Sequence, residues 1–144
     1  MQATSQRFDA GLTEILRQQL ESFVSGTPGT TLAVLTSGDG FEITAHPRGL
    51  STVQRLAAMS SSLQALSEAM VQEAGLVRIR NLIIESDGGT VIVLGIGAVT
   101  PRLSLTVVAT GDETLGRLLW ASRECCAALG RRLTHSNVQS FIST

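Results

Sequence analysis

The chain has 144 residues, a net charge of −1 and charged side chains at only 16% of positions. This length fits one domain with a substantial core. The near-neutral charge disfavours nucleic acid as a partner. Residues 1–9 lack the features of a signal peptide, and no apolar run reaches the roughly 18 residues of a membrane helix. We therefore expect a cytoplasmic protein without membrane insertion.

The first third of the sequence predicts a helix followed by a β-hairpin. Apolar residues recur at helical spacing over residues 5–25, and the Gly and Pro residues of 26–29 end that helix. Residues 30–36 and 41–45 have strand composition. The glycines of 37–40 between them indicate a tight turn, so the two strands are expected to pair.

The last third predicts a three-stranded meander and a final helix. Strands are expected at 76–85, 90–97 and 103–109, and an Asp-Gly turn at 86–89 joins the first two. The second of these strands is nearly all apolar, which indicates a position inside the sheet. The final helix is expected over 112–132, with acidic residues at its start and arginines at its end.

Together the elements follow the order α-β-β-α-β-β-β-α. This order predicts an α+β fold with a five-stranded, mostly antiparallel sheet. The long central helix is expected on one face of the sheet and the two terminal helices on the other. We expect the domain to cover residues 5–132, with a flexible C-terminal tail at 133–144.

The central helix, residues 51–75, has the most unusual pattern in the chain. Ser51 and Gln54 fit a capping box at its start, and Gly75 ends it. Two sets of residues recur at steps of three and four, on opposite sides of the helix. The bulky set is Leu56, Met59, Leu63, Leu66 and Met70, and the small set is Ala58, Ser62, Ala65 and Ala69.

Neither side of this helix carries the charges of an ordinary surface helix. The bulky set is expected to pack on the protein's own sheet. The small set is then expected to contact a second copy of the chain or a different protein, because small residues let another backbone approach closely. Simple exposure of the small set is the alternative, since Ala and Ser tolerate water.

The titratable residues form no recognisable catalytic or metal-binding pattern. Cys125 and Cys126 are adjacent, which excludes a Cys-x-x-Cys pair, and we expect two thiols with one turned inward. His46 and His135 have no neighbouring ligand at metal-binding spacing, so surface positions are expected for both.

Three further segments superficially resemble catalytic motifs. Residues 95–100 lack the last glycine of a dinucleotide loop, and the chain has no Lys for a Walker A motif. Ser60–Ser62 lack a nucleophile elbow, and Glu85 and Asp87 flank an exposed turn. We therefore expect a chain that is not an enzyme and has no cofactor or metal.

Four segments carry a resemblance to the roadblock/LC7 domain. They are residues 33–43, 55–66, 83–89 and 114–116, and they lie in an order that covers about residues 8–130. The resemblance implies a non-enzymatic dimer whose third strands pair edge to edge, with the two long helices side by side on one face. In bacteria and archaea such domains often bind small Ras-like GTPases; in eukaryotes they are dynein light chains or parts of lysosomal scaffolds.

The resemblance and the helix pattern lead to one hypothesis: a homodimer whose paired long helices dock a small Ras-like GTPase. The alternatives are a scaffold without effect on nucleotide turnover, in a polarity, motility or secretion complex, and a small-molecule sensor. The candidate partner-binding and dimer residues are Arg55, Ala58, Ser61, Ser62, Ala65, Glu68 and Ala69, with Arg78 and Arg80 on the strand at the dimer edge.

Overall fold

A computed structural model describes residues 9–97, 102–111 and 114–142, with side chains to residue 135. It confirms the α+β element order. The elements are α1 (Ala10–Gly26), β1 (Thr30–Thr36), β2 (Glu42–His46), α2 (Val53–Glu73), β3 (Asn81–Ser86), β4 (Gly89–Ile96), β5 (Leu103–Thr110) and α3 (Leu115–Ile142).

The five strands form one sheet in the order β2-β1-β5-β4-β3, and every neighbouring pair is antiparallel. Pairing of β1 with β5 at the centre joins the N-terminal hairpin to the C-terminal meander. β4 lies inside the sheet, as its apolar sequence predicts. β3 and β2 are the two edge strands.

Helices cover the two faces of the sheet unequally. The larger core lies under α1 and α3, where fully buried leucines each contribute roughly 1.5–3 kcal/mol. The smaller cluster lies under α2 and contains Leu32, Val34, Ala45, Val53 and Ala57. The larger core includes Leu16, Leu20, Phe23, Leu35, Ile92, Leu94, Ile96, Leu105, Val107, Leu118 and Leu129. The expected layers are therefore confirmed.

The start of α1 is set by a side-chain cap. An Asp9 carboxylate oxygen accepts a hydrogen bond from the Leu12 backbone N–H at 2.7 Å. Residues 5–8, where the sequence also predicts helix, lie outside the described residues. Hydrogen bonding by Arg17 is the main reason that the pKa of Glu14 is below its usual value. Arg48, in the connection after β2, donates a second hydrogen bond to the same carboxylate.

Two sequence expectations about the central segment are wrong. The capping box of Ser51 and Gln54 is not formed, because α2 begins at Val53 and its N-cap, Thr52, makes no side-chain capping bond. Arg78 and Arg80 precede β3 and do not lie on it. The ladder of β3 with β4 begins at Asn81, so the residues directly before it pair with no strand in the described part of the chain.

The final helix is longer than the sequence suggests. It continues through Ile142, whereas the sequence predicts that it ends at Arg131–Arg132. Arginines suit the last turn of a helix but do not stop one, and no Gly or Pro follows them here. The sequence also predicts a turn at 99–102, of which 99–101 lie outside the described residues, as does the helix start at 112–113. The domain boundary at residue 132 stays a prediction.

The turn between β3 and β4 needs glycine for two separate reasons. Gly88 has a φ of +86°, a conformation that side chains disfavour. Gly89 lies against β5, where an added Cβ would stand 2.4 Å from the Ala109 carbonyl oxygen. The Asp-Gly turn that the sequence predicts is thus confirmed, and the second glycine allows the close approach of β4 to β5.

We expect Gly89→Ala to destabilise the protein by about 1–3 kcal/mol, because the methyl group must displace backbone. Urea unfolding followed by circular dichroism measures this change. Gly26→Ala is the matched control, since nothing lies within 4 Å of its Cβ position. Equal unfolding midpoints for the two variants would contradict the close approach.

Candidate functional site

The central helix contacts the sheet through its smallest side chains. Val53, Ala57 and Ser60 are its buried residues. The Ser60 and Thr106 hydroxyl groups are hydrogen-bonded at 2.6 Å in the buried layer between α2 and β5. Small side chains on this face bring the helix close enough for that contact.

The bulky set of α2 does not pack on the protein's own sheet, so this expectation is wrong. Met59, Leu66 and Met70 are 57%, 60% and 65% exposed, while Leu56 and Leu63 are half-buried. At 3.6 residues per turn, the bulky set lies about 100° around the helix from the buried one. The face of α2 that packs on the sheet is the one with Val53, Ala57 and Ser60. On this face the Ser60 hydroxyl is a hydrogen-bond partner for the buried hydroxyl of Thr106.

Contacts on the other flank of α2 show which way the bulky set points. The Ser61 hydroxyl donates to the Gly38 carbonyl oxygen at 3.0 Å. A Cβ placed on Gly40 would lie 3.5 Å from the Ala58 Cα atom. That flank therefore faces the turn between β1 and β2. The bulky set, on the opposite flank, faces the side of β4 and β3.

The same face of the sheet is open over β3 and β4. Val91 lies between Val108, which packs in the cluster under α2, and Ile84 on the edge strand. Cross-strand neighbours point to the same face, so these side chains share the α2 side. Ile84 is 40% exposed. We call the combined surface the open apolar face; it consists of Met59, Leu63, Leu66, Met70, Leu82, Ile84 and Val91.

The structure brings most of the candidate partner-binding residues together on the outer side of α2. The exposed ones are Arg55, Ala58, Ser62, Ala65 and Ala69, which we call the outward face. Two others are half-buried and engaged within the subunit. Ser61 binds Gly38, and the Glu68 carboxylate pairs with the Arg102 guanidinium.

Sequence reasoning missed several exposed apolar residues near this helix. Phe41 is 54% exposed and directly follows Gly40, beside Ala58. Leu76 and Val77 follow the end of α2 and are 64% and 89% exposed. The sequence places all three in strands, where apolar residues are expected to be buried. Phe41 and Leu76 each directly follow a glycine that ends a turn or a helix, which is the signal that could have found them.

The described residues bring together no group of three or more metal-ligand side chains. His46 is half-buried at the end of β2, and His135 is exposed on α3. Cys125 is buried and Cys126 half-buried, which confirms the expected inward thiol. Burial raises the pKa of both thiols to about 12. Within the described ranges, no helix is both long and apolar enough to cross a bilayer.

An antiparallel sheet with one helix on one face and two terminal helices on the other defines a small α+β domain. The family model of the Roadblock/LC7 domain matches residues 16–109. The chain belongs to this family. No match was found among curated proteins.

Solved structures share the fold at low sequence identity. Gliding protein MglB from Thermus thermophilus is 19% identical, with a TM-score of 0.75 over 89% of this chain and 94% of that one. An MglB structure with a tetrameric arrangement is 20% identical, with a TM-score of 0.75 over 89% and 93%. A roadblock/LC7 domain from Streptomyces avermitilis is 22% identical, with a TM-score of 0.61 over 88% and 97%.

The packing of α2 through small residues can be tested by enlarging one of them. Ser60→Leu is expected to destabilise the protein by about 1–3 kcal/mol, because the added volume separates the helix from β5 and removes the bond to Thr106. Chemical denaturation measures the loss. Ser62→Leu makes the same chemical change two residues away on the exposed side, and its unfolding midpoint is expected to stay near that of the parent protein. Similar losses in both variants would show that the helix is rotated from the described orientation.

Proposed function

We propose that the chain is a non-enzymatic homodimer whose paired α2 helices form a docking platform for a small Ras-like GTPase. One observation supports the proposal above the others. The central helix presents two uncharged surfaces to solvent, the bulky set and the small set, although a lone subunit needs to bury only one side.

A second copy is the proposed cover for the open apolar face. Burying side chains such as Met70 and Leu66 stabilises an interface by roughly 1.5–3 kcal/mol each. β3 borders this face and has a neighbouring strand on one side only. Pairing of two β3 edges about a twofold axis places both open apolar faces against each other and extends the sheet across the dimer.

Charges near β3 favour an antiparallel pairing of this kind. Arg78 and Arg80 directly precede the strand, whereas Glu85 and Asp87 lie at its end. An antiparallel pair brings the start of one strand to the end of the other. The two arginines then lie near the carboxylates of the partner subunit, and opposite charges at such a rim orient the encounter. Arg78 and Arg80 can therefore lie at the dimer edge although they precede β3 in the sequence.

With the bulky flank covered by the second copy, the outward face remains available. Its short side chains leave the backbone of α2 accessible and lose little rotamer entropy on contact. Two such helices side by side form a broad surface with Arg55 as the charged residue of each copy. The class of partner rests on the family resemblance, since roadblock domains of bacteria and archaea often bind small Ras-like GTPases.

A scaffold that holds its partner without changing nucleotide turnover is the second candidate. The composition of the outward face favours it, because four of its five side chains are short and uncharged and only Arg55 carries a charge. Such a scaffold fits a polarity, motility or secretion complex. The regulator and the scaffold use the same surface. They differ in whether binding of this chain changes the nucleotide turnover of the GTPase.

Met70→Glu is expected to raise the dissociation constant of the homodimer at least about tenfold, because one carboxylate from each copy is then desolvated near the twofold axis. Analytical ultracentrifugation over a concentration series measures this shift. Gln72→Glu adds the same charge to the opposite flank of α2 and is expected to leave the dimer intact. A Met70→Glu variant that dimerises as the parent does would exclude the open apolar face as the interface.

Ala65→Glu is expected to weaken GTPase binding by about tenfold or more while the monomer fold is preserved, because the longer, charged side chain blocks close approach to α2. Co-purification from the native cell with mass identification supplies the GTPase. Binding and nucleotide turnover are then measured with the parent protein and the variant. Sedimentation of the variant alone shows whether the dimer is affected as well.

Each outcome of this experiment bears on one part of the proposal. A turnover change with the parent that Ala65→Glu abolishes supports the regulator. Binding without a turnover change supports the scaffold. Equal binding by both proteins contradicts the outward face as the platform, and nucleotide hydrolysis by this chain alone contradicts the non-enzymatic assignment.

A further inference from the structure

The C-terminal helix carries a charge opposite to that of the rest of the chain. Its described side chains include four arginines and a single acidic residue, Glu124, whereas the remaining sequence holds seven arginines and eleven acidic residues. All four arginines are exposed, and they are Arg117, Arg123, Arg131 and Arg132. The net charge of −1 is therefore the sum of a positively charged C-terminal helix and a negatively charged remainder of the chain.

Most of this positive charge is not neutralised within the subunit. The ion pairs among the described residues use Arg17, Arg48 and Arg102. Arg123 donates to the neutral amide oxygen of Asn81 at 3.0 Å. Glu124 lies on the solvent side of α3, seven residues from both Arg117 and Arg131, and offsets part of this charge. The remaining excess of positive charge on α3 favours a partner that supplies negative charge.

The only tryptophan of the chain lies in the same row. Trp120 is 67% exposed, and at three-residue and eleven-residue spacing it shares the solvent side of α3 with Arg117 and Arg131. A hollow of about 300 Å³ beside it is lined by apolar residues such as Pro28 and Ala121. An aromatic side chain this exposed on a helix is a frequent contact residue at interfaces.

A second exposed apolar side chain lies farther along the same surface. Ile15 of α1 is 42% exposed. It lines a hollow of about 530 Å³ between α1 and α3 together with Leu12, Asp9, Arg131 and Arg132. Apolar side chains thus lie beside two arginines and one carboxylate in this hollow.

We propose that this surface, the basic outer face formed by Ile15, Arg117, Trp120, Arg131 and Arg132, binds the surface of an anionic lipid bilayer. The bilayer interface offers phosphate and carboxylate groups to the arginines. At nearly the same depth it offers an apolar layer to Trp120 and Ile15. A nucleic acid matches the charge but offers little to the aliphatic side chain, and no second exposed aromatic residue lies in this row for base stacking.

The basic outer face and the docking platform lie on opposite sides of the sheet. α1 and α3 cover one face and α2 covers the other. A subunit held by its terminal helices therefore presents α2 away from the membrane. Lipid binding does not require the proposed dimer, but a dimer with a continuous sheet doubles the charge that faces the bilayer.

Vesicle binding with tryptophan fluorescence tests the inference on the full chain. We expect sedimentation with mixed phosphatidylserine–phosphatidylcholine vesicles and not with pure phosphatidylcholine vesicles, and release at high salt. Because Trp120 is the only tryptophan, a blue shift of the emission on binding reports its entry into the interface directly. A replacement of both arginines on the solvent row, Arg117→Gln with Arg131→Gln, is expected to weaken binding by about tenfold or more.

Arg55→Gln is the matched control, because it removes a positive charge from the opposite side of the sheet. Its binding is expected to equal that of the parent, and Arg131→Gln alone is expected to bind more weakly. Equal loss in the two single variants would show that only net charge matters and would overturn the assigned face. Absence of binding to anionic vesicles, or binding with an unchanged Trp120 emission, would overturn it as well.

Self-association is the remaining outcome to separate. If a concentration series without lipid shields Trp120 from acrylamide quenching, the basic outer face is a contact between copies, and the membrane proposal fails. A parent protein that binds the GTPase normally but does not bind anionic vesicles would reject this inference and leave the docking platform intact. The reverse result would reject the platform and leave this inference standing.

Discussion

The close packing of α2 on the sheet is the contact on which the other surfaces of this domain depend. A buried hydroxyl pair, Ser60 with Thr106, fixes the rotation of the helix, since a different rotation leaves both groups without a partner. Ala57 and Val53 complete the close contact. Once this side is directed inward, the bulky and small sets must both face outward, and the helix becomes a surface that requires partners.

Because of this rotation, two different sides of α2 are available for two different proposed contacts. The bulky set, with Met59 and Met70, borders the open half of the sheet and is suited to burial against a second copy. The small set points away from the sheet and is suited to close approach by another protein. A helix with only one apolar side can either anchor to its sheet or join a partner. Here the anchoring is assigned to small residues, so the large ones remain available.

The two faces of the sheet differ in charge as well as in packing. The α2 side is nearly uncharged around the open apolar face, whereas α3 holds four arginines on the far side. We therefore expect electrostatic attraction to an anionic surface to favour the α3 side and so to orient the molecule. The near-neutral total charge says little about such a protein, because the basic helix and the acidic body cancel in the sum.

Sequence alone determined the element order, the bounds of β1, the hairpin turns at Gly40 and Gly88, and the resemblance to the roadblock family, because these depend on local spacing and composition. Only the tertiary structure decided the rotation of α2. Helical periodicity gives the angles between side chains but not the direction of the sheet, and the deciding contact, with Thr106, comes from a distant strand. The start of β3 was likewise decided by where its pairing with β4 begins, at Asn81 opposite Leu94, and not by the composition of its own residues.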